Sequence, residues 1–255
     1  MYAEERQEAI AELVRRRGRV SVAEVAERYG VTTETVRRDL AVLERNAVVR
    51  RVHGGAVPTG ALTVIERGVG ERETAQAEEK DRIAAAALAL VPADGGSILL
   101  DAGTTTARLA AVLPSDRRLV VVTNSVPVAA RVAGSAATRL HLLGGRVRGT
   151  TQAAVGEETV RALDDLRVDV AFVGTNALSV DFGLSTPDVE EASVKRAMVR
   201  SAQKVVVLAD ASKLGSEHLV RFAPLDAVDV LVTDRAADPD VVAELEAHGV
   251  EVVLA

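Results

Sequence analysis

Thr32-Thr33-Glu34-Thr35-Val36-Arg37-Arg38-Asp39-Leu40-Ala41-Val42-Leu43-Glu44-Arg45 runs directly into Asn46-Ala47-Val48-Val49-Arg50-Arg51-Val52-His53-Gly54-Gly55-Ala56-Val57. The first half reads as an amphipathic helix. Thr32 has N-cap chemistry, with Glu34 and Thr35 in the first turn. Val36, Leu40 and Leu43 recur at helical spacing and form a buried stripe. Arg37, Arg38, Ala41 and Arg45 fall on other faces. The second half alternates like a strand, carries Arg50, Arg51 and His53, and reverses on Gly54-Gly55. A basic amphipathic helix followed by a short basic hairpin is the layout of a recognition helix with a wing.

The residues upstream complete that layout. Ala9, Ile10, Leu13 and Val14 form a helical stripe that stops at Arg15-Arg16-Arg17-Gly18. Cations and then glycine suit a helix C-terminus. Arg19-Val20 is a short extended piece. Ser21 then caps a second helix, with Glu24 placed as its capping-box partner, and that helix stops at Tyr29-Gly30. Two helices joined through a tight glycine turn make a helix-turn-helix. Thr33, Thr35, Arg37 and Arg38 are the expected DNA contacts on its second helix, whose N-terminal residues reach base edges. The alternative for Arg38 is an ion pair with Asp39 or Glu34. Arg50, Arg51 and His53 would touch phosphates or the minor groove.

Composition narrows the rest. The chain has 255 residues, 48% of them hydrophobic, enough for one or two domains with a sizeable core. Aromatics are 2%, so base stacking on rings is an unfavoured binding mode. With no Cys, disulfides, thiolate metal sites and a Cys nucleophile are excluded. No apolar run reaches membrane-spanning length, and the N-terminus does not read as a signal peptide, so a soluble cytoplasmic protein is expected. Residues 1–57 hold 11 of the 31 basic residues and 9 of the 37 acidic ones. A weakly basic head on an acidic body fits a DNA-reading unit whose partner stays off the phosphates.

Pro58-Thr59-Gly60 through Gly68 and Gly70 reads as a linker, followed by a charged helix start near Glu71–Arg82. Beyond it, strands are expected at Ser97–Leu100, Leu119–Thr123, Arg139–Leu143, Val168–Val173, Val205–Ala209, Val228–Thr233 and Val250–Leu254. Helices are expected at 104–113, 125–133, 157–165, 190–202 and 238–248. The strands are mostly continuous Val/Leu runs, as strands buried on both faces should be. The fold expected is therefore an N-terminal winged helix-turn-helix (1–57), a linker (58–72) and a doubly wound α/β domain (73–255).

In such sheets ligands bind beyond the carboxyl ends of the strands. Asp101-Ala102-Gly103-Thr104-Thr105-Thr106 ends the first strand and opens a helix. Glycine lets a ligand approach the backbone, while three hydroxyls and free N–H groups suit a phosphate. A single Thr would suffice as a cap. Further ends carry Thr123-Asn124-Ser125, Gly144-Gly145-Arg146, Gly174-Thr175-Asn176 and Ala209-Asp210-Ala211-Ser212-Lys213. Together they would line a rim suited to a polyol bearing one phosphate. There is no G-x-G-x-x-G dinucleotide motif and no P-loop. The four His are scattered without metal-ligand spacing, so no metal and no cofactor is expected; His141 alternates toward the rim. Glu190 and Glu191 with Lys195 and Arg196 read most simply as a helix start with ion pairs one turn apart, with a ligand contact as the sharper alternative.

E-T-V-R-R-D-L-x-x-L-E-R with R-R-V-H-G-G-A resembles the DeoR-type bacterial transcriptional regulators, and so do D-A-G-T-T-T, V-V-T-N-S, L-L-G-G, F-V-G-T-N, G-L-S-T-P-D, E-E-A-S-V-K-R-A-M and L-A-D-A-S-K. The motifs span essentially the whole chain in order. The resemblance implies a winged head joined to a sugar-phosphate-sensing domain whose fold is similar to ribose-5-phosphate isomerase and the CoA transferases. It implies effector contacts at Asp101, Gly103, Thr104, Thr105, Thr106, Thr123, Asn124, Ser125, Gly144, Gly145, Gly174, Asn176, Lys195, Asp210 and Lys213. It also implies that catalysis is lost, leaving no catalytic residue. Asn176 and Ser179 stand where the isomerase has carboxylates, and Val194 stands where it has Glu. Moving a proton beside a carbonyl needs a carboxylate base. Many members of the family have Gly at Ala177. G-T-N-x-x-S with G-L-S-T-P-D is similar to a fructose-utilisation branch, which points to fructose 1-phosphate. The expected protein is a homo-oligomeric repressor, dimer or tetramer, on double-stranded operator DNA, with residues 58–72 as its hinge. The alternatives are an isomerase-like enzyme with a DNA-binding head, or an activator.

Overall fold

The computed structural model describes residues 2–17, 20–46, 48–52, 54–58 and 68–255. The chain divides into two compact units, Met1–Val64 and Ile65–Ala255.

The first unit contains α1 (Ala3–Arg17), β1 (Val20–Ser21), α2 (Val22–Tyr29), α3 (Thr33–Arg45), β2 (Val49–Val52) and β3 (Gly55–Pro58). Local chemistry sets its turns. Ser21 Oγ accepts from Glu24 N, and Thr32 Oγ1 accepts from Thr35 N. Gly30 closes α2 in the left-handed region, its N–H returning to the carbonyls of Ala26 and Glu27. Ile10, Leu13, Val14, Val25, Val36, Leu40 and Leu43 form the core, with Tyr29 packed against it. The wing differs from the two strands expected. Val20 and Ser21 pair with β3 and make a three-stranded sheet, β1-β3-β2. Gly55 permits this closeness, because a Cβ there would stand 1.9 Å from the Val20 carbonyl oxygen.

The second unit opens with α4 (Val69–Thr74) and α5 (Ala77–Ala87). There follow β4 (Ser97–Leu100), α6 (Thr104–Val112), β5 (Leu119–Thr123), α7 (Val126–Val132), β6 (Thr138–Leu142), β7 (Arg146–Arg148), β8 (Ala153–Val155) and α8 (Glu157–Asp164). The chain continues through β9 (Val168–Gly174), β10 (Ala177–Ser179), β11 (Gly183–Thr186), α9 (Val189–Arg200), β12 (Ala202–Leu208), β13 (Val220–Ala223), β14 (Val230–Thr233), α10 (Pro239–Ala247) and β15 (Glu251–Leu254). Seven strands form one parallel sheet, ordered β15-β14-β12-β9-β4-β5-β6.

Alternate residues of each strand feed opposite faces. Leu99, Ala171, Val173, Val207 and Leu231 meet Leu163, Ala192, Met198 and Leu245 on one side. Ile98, Leu100, Phe172, Val206 and Val232 meet Ile83, Leu109 and Val128 on the other. Burial on both faces is why these strands read as unbroken apolar runs. The sheet grows outward from β4 through β5 and β6, then restarts on the other flank with β9. The reversal makes the β4/β9 junction the switch point, where ligand crevices form in open α/β sheets.

Three parts of this unit depart from expectation. Two antiparallel additions, β7-β8 and β10-β11-β13, were not foreseen. The charged stretch near 71–82 is two helices, broken at Gln76, which has φ of 50°. Val69 begins α4 inside the stretch read as linker, while residues 59–67 lie outside the described residues. The two Tyr belong to the first unit and the three Phe to the second.

Candidate functional site

On the first unit, Thr33, Arg37 and Arg38 are exposed on α3 and Thr35 is half-buried. Thr35 Oγ1 lies 2.9 Å from Thr32 Oγ1, within the cap. Arg37 approaches Glu34 at 3.9 Å, a loose contact between exposed groups worth little. Asp39 does not pair with Arg38. It is buried and accepts from Arg6 Nε at 2.6 Å and Gln7 Nε2 at 2.9 Å, tying α1 to α3. Arg51 is held by Glu44: its Nε donates at 2.7 Å and its backbone N–H at 2.8 Å. These bonds, the backbone one foremost, keep the Glu44 carboxyl below its ordinary pKa and orient the wing against α3. Arg50 is in β2, and His53 lies outside the described residues.

The rim of the second unit is built at strand ends, and most of its polar groups brace one another. Asp101, directly after β4, is 1% exposed. Its Oδ2 accepts from Gly174 N at 3.0 Å and from the Lys195 ammonium. Lys195, from α9, also donates to Gly174 O at 2.9 Å. One ion pair therefore staples β4, β9 and α9 at the switch point. Burial pushes the Asp101 carboxyl upward, against the pull of Lys195. This corrects the expectation of ion pairs within the 190–202 helix. Lys195 reaches across to Asp101, and Glu191 accepts instead from Arg148 at 2.5 Å and from Thr151 Oγ1. Arg146 takes Glu190. The first turn of α9 faces the β7-β8 hairpin and Lys195 reaches the end of β4, so these charges find partners there and not along the helix.

The remaining rim residues divide similarly. Thr106 Oγ1 donates to Asp101 O at 2.7 Å and Gly103 O at 2.9 Å, and Thr123 Oγ1 donates to Leu100 O at 2.6 Å. Ser125 Oγ caps α7, and Asp210 Oδ1 accepts from Ser212 N at 3.1 Å. Asn124 Nδ2 donates to Ala154 O at 3.0 Å, while its Oδ1 is buried with no partner among the described residues. Asn176 Oδ1 accepts from Thr186 Oγ1 at 3.1 Å. Ser179 Oγ meets Glu217 at 3.1 Å, and Val194 is core. Gly145 is dictated by packing, since a Cβ there would stand 2.3 Å from Thr159 Oγ1 and 2.7 Å from Val155 O. Gly144 beside it is exposed. His141 is exposed on the edge strand β6 and takes no part in the brace at Asp101. The α6 N-terminus has no side-chain cap on Gly103, so the first N–H groups of Thr104, Thr105 and Thr106 are not claimed by one.

Lys80 of α5 is the rim residue that sequence reasoning missed. It is 4% exposed, and its Nζ donates to Arg72 O and Ala75 O, both at 2.5 Å. Burial lowers its pKa to about 8; Asp210 pulls it up, and Lys213, Arg108 and Arg72 push it down. Arg72 Nε and Nη2 are themselves buried without a partner among the described residues. Lys80 thus sits among three further cations, of which Arg108 is paired with Asp81 at 2.7 Å. A signal existed: of 31 basic residues only four are Lys, and Lys80, Lys195 and Lys213 all belong to this rim. A chain that otherwise uses Arg keeps Lys where a compact charge is needed.

Among the described residues no group of three or more His, Asp or Glu could hold a metal ion. No helix there is long and apolar enough to cross a membrane.

Comparisons with known proteins agree along the whole chain. Residues 6–59 match the DeoR-like helix-turn-helix domain, and residues 75–235 match the DeoR C-terminal sensor domain. The chain is 39% identical over 253 residues to the HTH-type transcriptional regulator GlpR of Haloferax volcanii, covering 99% of this chain and 98% of that one. It is 31% identical to the glycerol-3-phosphate regulon repressor of Escherichia coli strain K12, over all of both chains. It is 36% identical to the lactose phosphotransferase system repressor of Streptococcus mutans, over 92% of this chain and 93% of that one. Ribose 5-phosphate isomerase A of Methanocaldococcus jannaschii superposes at a TM-score of 0.41 with 21% identity, over 55% of each chain. A winged helix-turn-helix followed by a parallel-sheet sensor with a polar rim, matched in order by both family domains, makes this chain a member of the DeoR family of DNA-binding transcriptional regulators.

Proposed function

We propose that this chain represses a sugar-uptake or catabolic operon and releases it when a phosphorylated sugar binds the rim of the sensor domain. The observation that carries this reading is the cation cluster. Lys80 lies among Arg72, Arg108 and Lys213 with Asp210 as its opposing charge, Arg108 is paired with Asp81 at 2.7 Å, and two Arg72 nitrogens are buried with no partner among the described residues. Buried guanidinium groups call for an acceptor, and a phosphate supplies several. The N–H groups of Thr104, Thr105 and Thr106 would bind its oxygens, with Lys80 and Lys213 as point charges. Asn124 Oδ1 would accept from a sugar hydroxyl, with Gly174 and Asn176 nearby in the sequence of strand ends. Asp101 and Lys195 then position β4 and β9 and do not themselves hold the ligand. Fructose 1-phosphate is the preferred effector; the relatives' names make glycerol 3-phosphate the first competitor.

In this reading residues 1–57 are the DNA-binding head, 58–72 the connection and 73–255 the sensor. Thr33, Thr35, Arg37 and Arg38 read bases, while Arg50, Arg51 and His53 touch the backbone or minor groove. The protein acts in the cytoplasm as a homo-oligomer on repeated half-sites and is not an enzyme. Asn176 and Ser179 offer an amide and a hydroxyl, and the nearby carboxylates of Asp101 and Glu191 are committed to Lys195 and Arg148. A thermal-shift screen of sugar phosphates tests the reading, since a ligand of the folded state raises apparent stability. A shift with fructose 1-phosphate, lost in Lys213→Met, is expected. No shift with any sugar phosphate at millimolar concentration would remove the effector site. Turnover of ribose 5-phosphate to ribulose 5-phosphate would restore the enzyme reading.

A further inference from the structure

We propose that α4 is the element through which rim occupancy is communicated, and that the Lys80 ammonium holds it in one state and releases it in the other. This rests on the anion-site reading above and adds how that site would be coupled to the rest of the molecule.

The helix α4 has only six residues, no side-chain N-cap and no buried residue. A helix this short is not stable by itself, so it is held from outside. Val69 N donates to Thr150 O at 2.9 Å, in the turn of the β7-β8 hairpin. Arg108 Nη2 donates to Glu73 O at 3.0 Å, and Arg131 approaches the Glu73 carboxylate at 3.4 Å. Lys80 Nζ binds the carbonyls of Arg72 and Ala75 at the C-terminal end, where a helix leaves acceptors unsatisfied. Two of these anchors, Lys80 and Arg108, are also members of the cation cluster. Two of the anchors that hold α4 are thus groups a bound phosphate would recruit. The ammonium's bonds to the carbonyls join a charge to a dipole, whereas a bond to phosphate joins two opposite charges and is the stronger. Phosphate therefore draws the ammonium off the two carbonyls and the Arg72 guanidinium toward itself, so the C-terminal turn of α4 loses its hold as its Arg72 side chain re-seats on the anion. Because α4 is the first described element after residues 59–67, its release changes how the chain leaves the sensor toward the head.

Hydrogen exchange of the full chain tests this at the amides of residues 69–75, with fructose 1-phosphate and inorganic phosphate as probes. In the wild type, saturation with a probe that gives a thermal shift should speed exchange there about tenfold. Lys80→Met should show that speed with no probe, and should bind a duplex selected by the wild-type chain from a random pool more weakly. Arg131→Ala loosens α4 from outside the cation cluster, so it should speed exchange, weaken DNA binding and, because the coupling is reciprocal, raise probe affinity. It also serves if Lys80→Met does not fold. A probe that shifts the melting curve but leaves 69–75 unchanged or slower overturns the relay and spares the anion site. If no probe binds, the anion site falls. Unchanged 69–75 exchange in both variants without probe overturns the role of these anchors independently.

Discussion

Lys80 and Lys195 are both buried lysines, and their surroundings give them opposite jobs. Lys195 has a full counter-charge in Asp101 and is a structural staple. Removing one partner of a buried pair strands the other, at a cost of about 3–5 kcal/mol. Lys195→Met should therefore lower the unfolding free energy of the sensor by that amount, read by urea titration followed by circular dichroism; a change under about 1 kcal/mol would contradict the staple. Lys80 is bound to carbonyls, with burial and three cations opposing its charge. Its pKa near 8 makes it charged at neutral pH and neutral in moderate alkali. Phosphate affinity, measured by calorimetric titration, should be full below pH 8 and fall as pH rises through that value. The folding linkage has the matching sign. The fold carries the burial cost below pH 8 and sheds it between there and the ordinary 10.5. Lys80 escaped sequence reading because Glu78-Glu79-Lys80-Asp81-Arg82 has the composition of a solvated helix face. What buries it is α4, an element without a sequence signal of its own.

At the level of elements, the parallel strands and the helices of the head were legible, because local chemistry and periodicity agree there. Ser21, Thr32 and Gly30 act through neighbours within four residues, and the Val/Leu runs report burial on both faces. The antiparallel additions were not legible. Ala153–Val155 is too short to show a period, and Arg146 and Arg148 look like surface charges until α9 supplies Asp188, Glu190 and Glu191. The brace at Asp101 was misread for the same reason, since its partner is 94 residues away. The third strand of the wing was hidden in two residues. Its consequence is testable: Gly55→Ala places a Cβ against the Val20 carbonyl and should destabilise the head by about 1–3 kcal/mol. Calorimetry should show the head transition lowered and the sensor transition unmoved. A shared shift would mean that the two units melt together.

For the whole molecule, the output is grip on DNA, and the head offers two kinds of arginine. Arg37 is exposed on α3 with only a loose contact to Glu34. Arg37→Ala should weaken binding to the preferred duplex by about 1–3 kcal/mol and relax the choice of base at one position. Arg51 is pre-aimed by Glu44. Arg51→Ala should weaken binding to all sequences alike and reduce the salt dependence by about one unit of slope. The reverse pattern, measured by fluorescence anisotropy over a salt series, would exchange their roles.

The placement of the aromatic rings has one more consequence. Tyr2 and Tyr29 belong to the head, and the sensor has Phe alone. With no Trp to mask them, the tyrosines make the natural ultraviolet emission of this protein a signal from one end only. A sugar phosphate at the proposed rim would bind in the unit that has no tyrosine. Any change it causes in that emission would report an event at the head, so the unlabelled chain carries its own optical probe of whether the message has arrived.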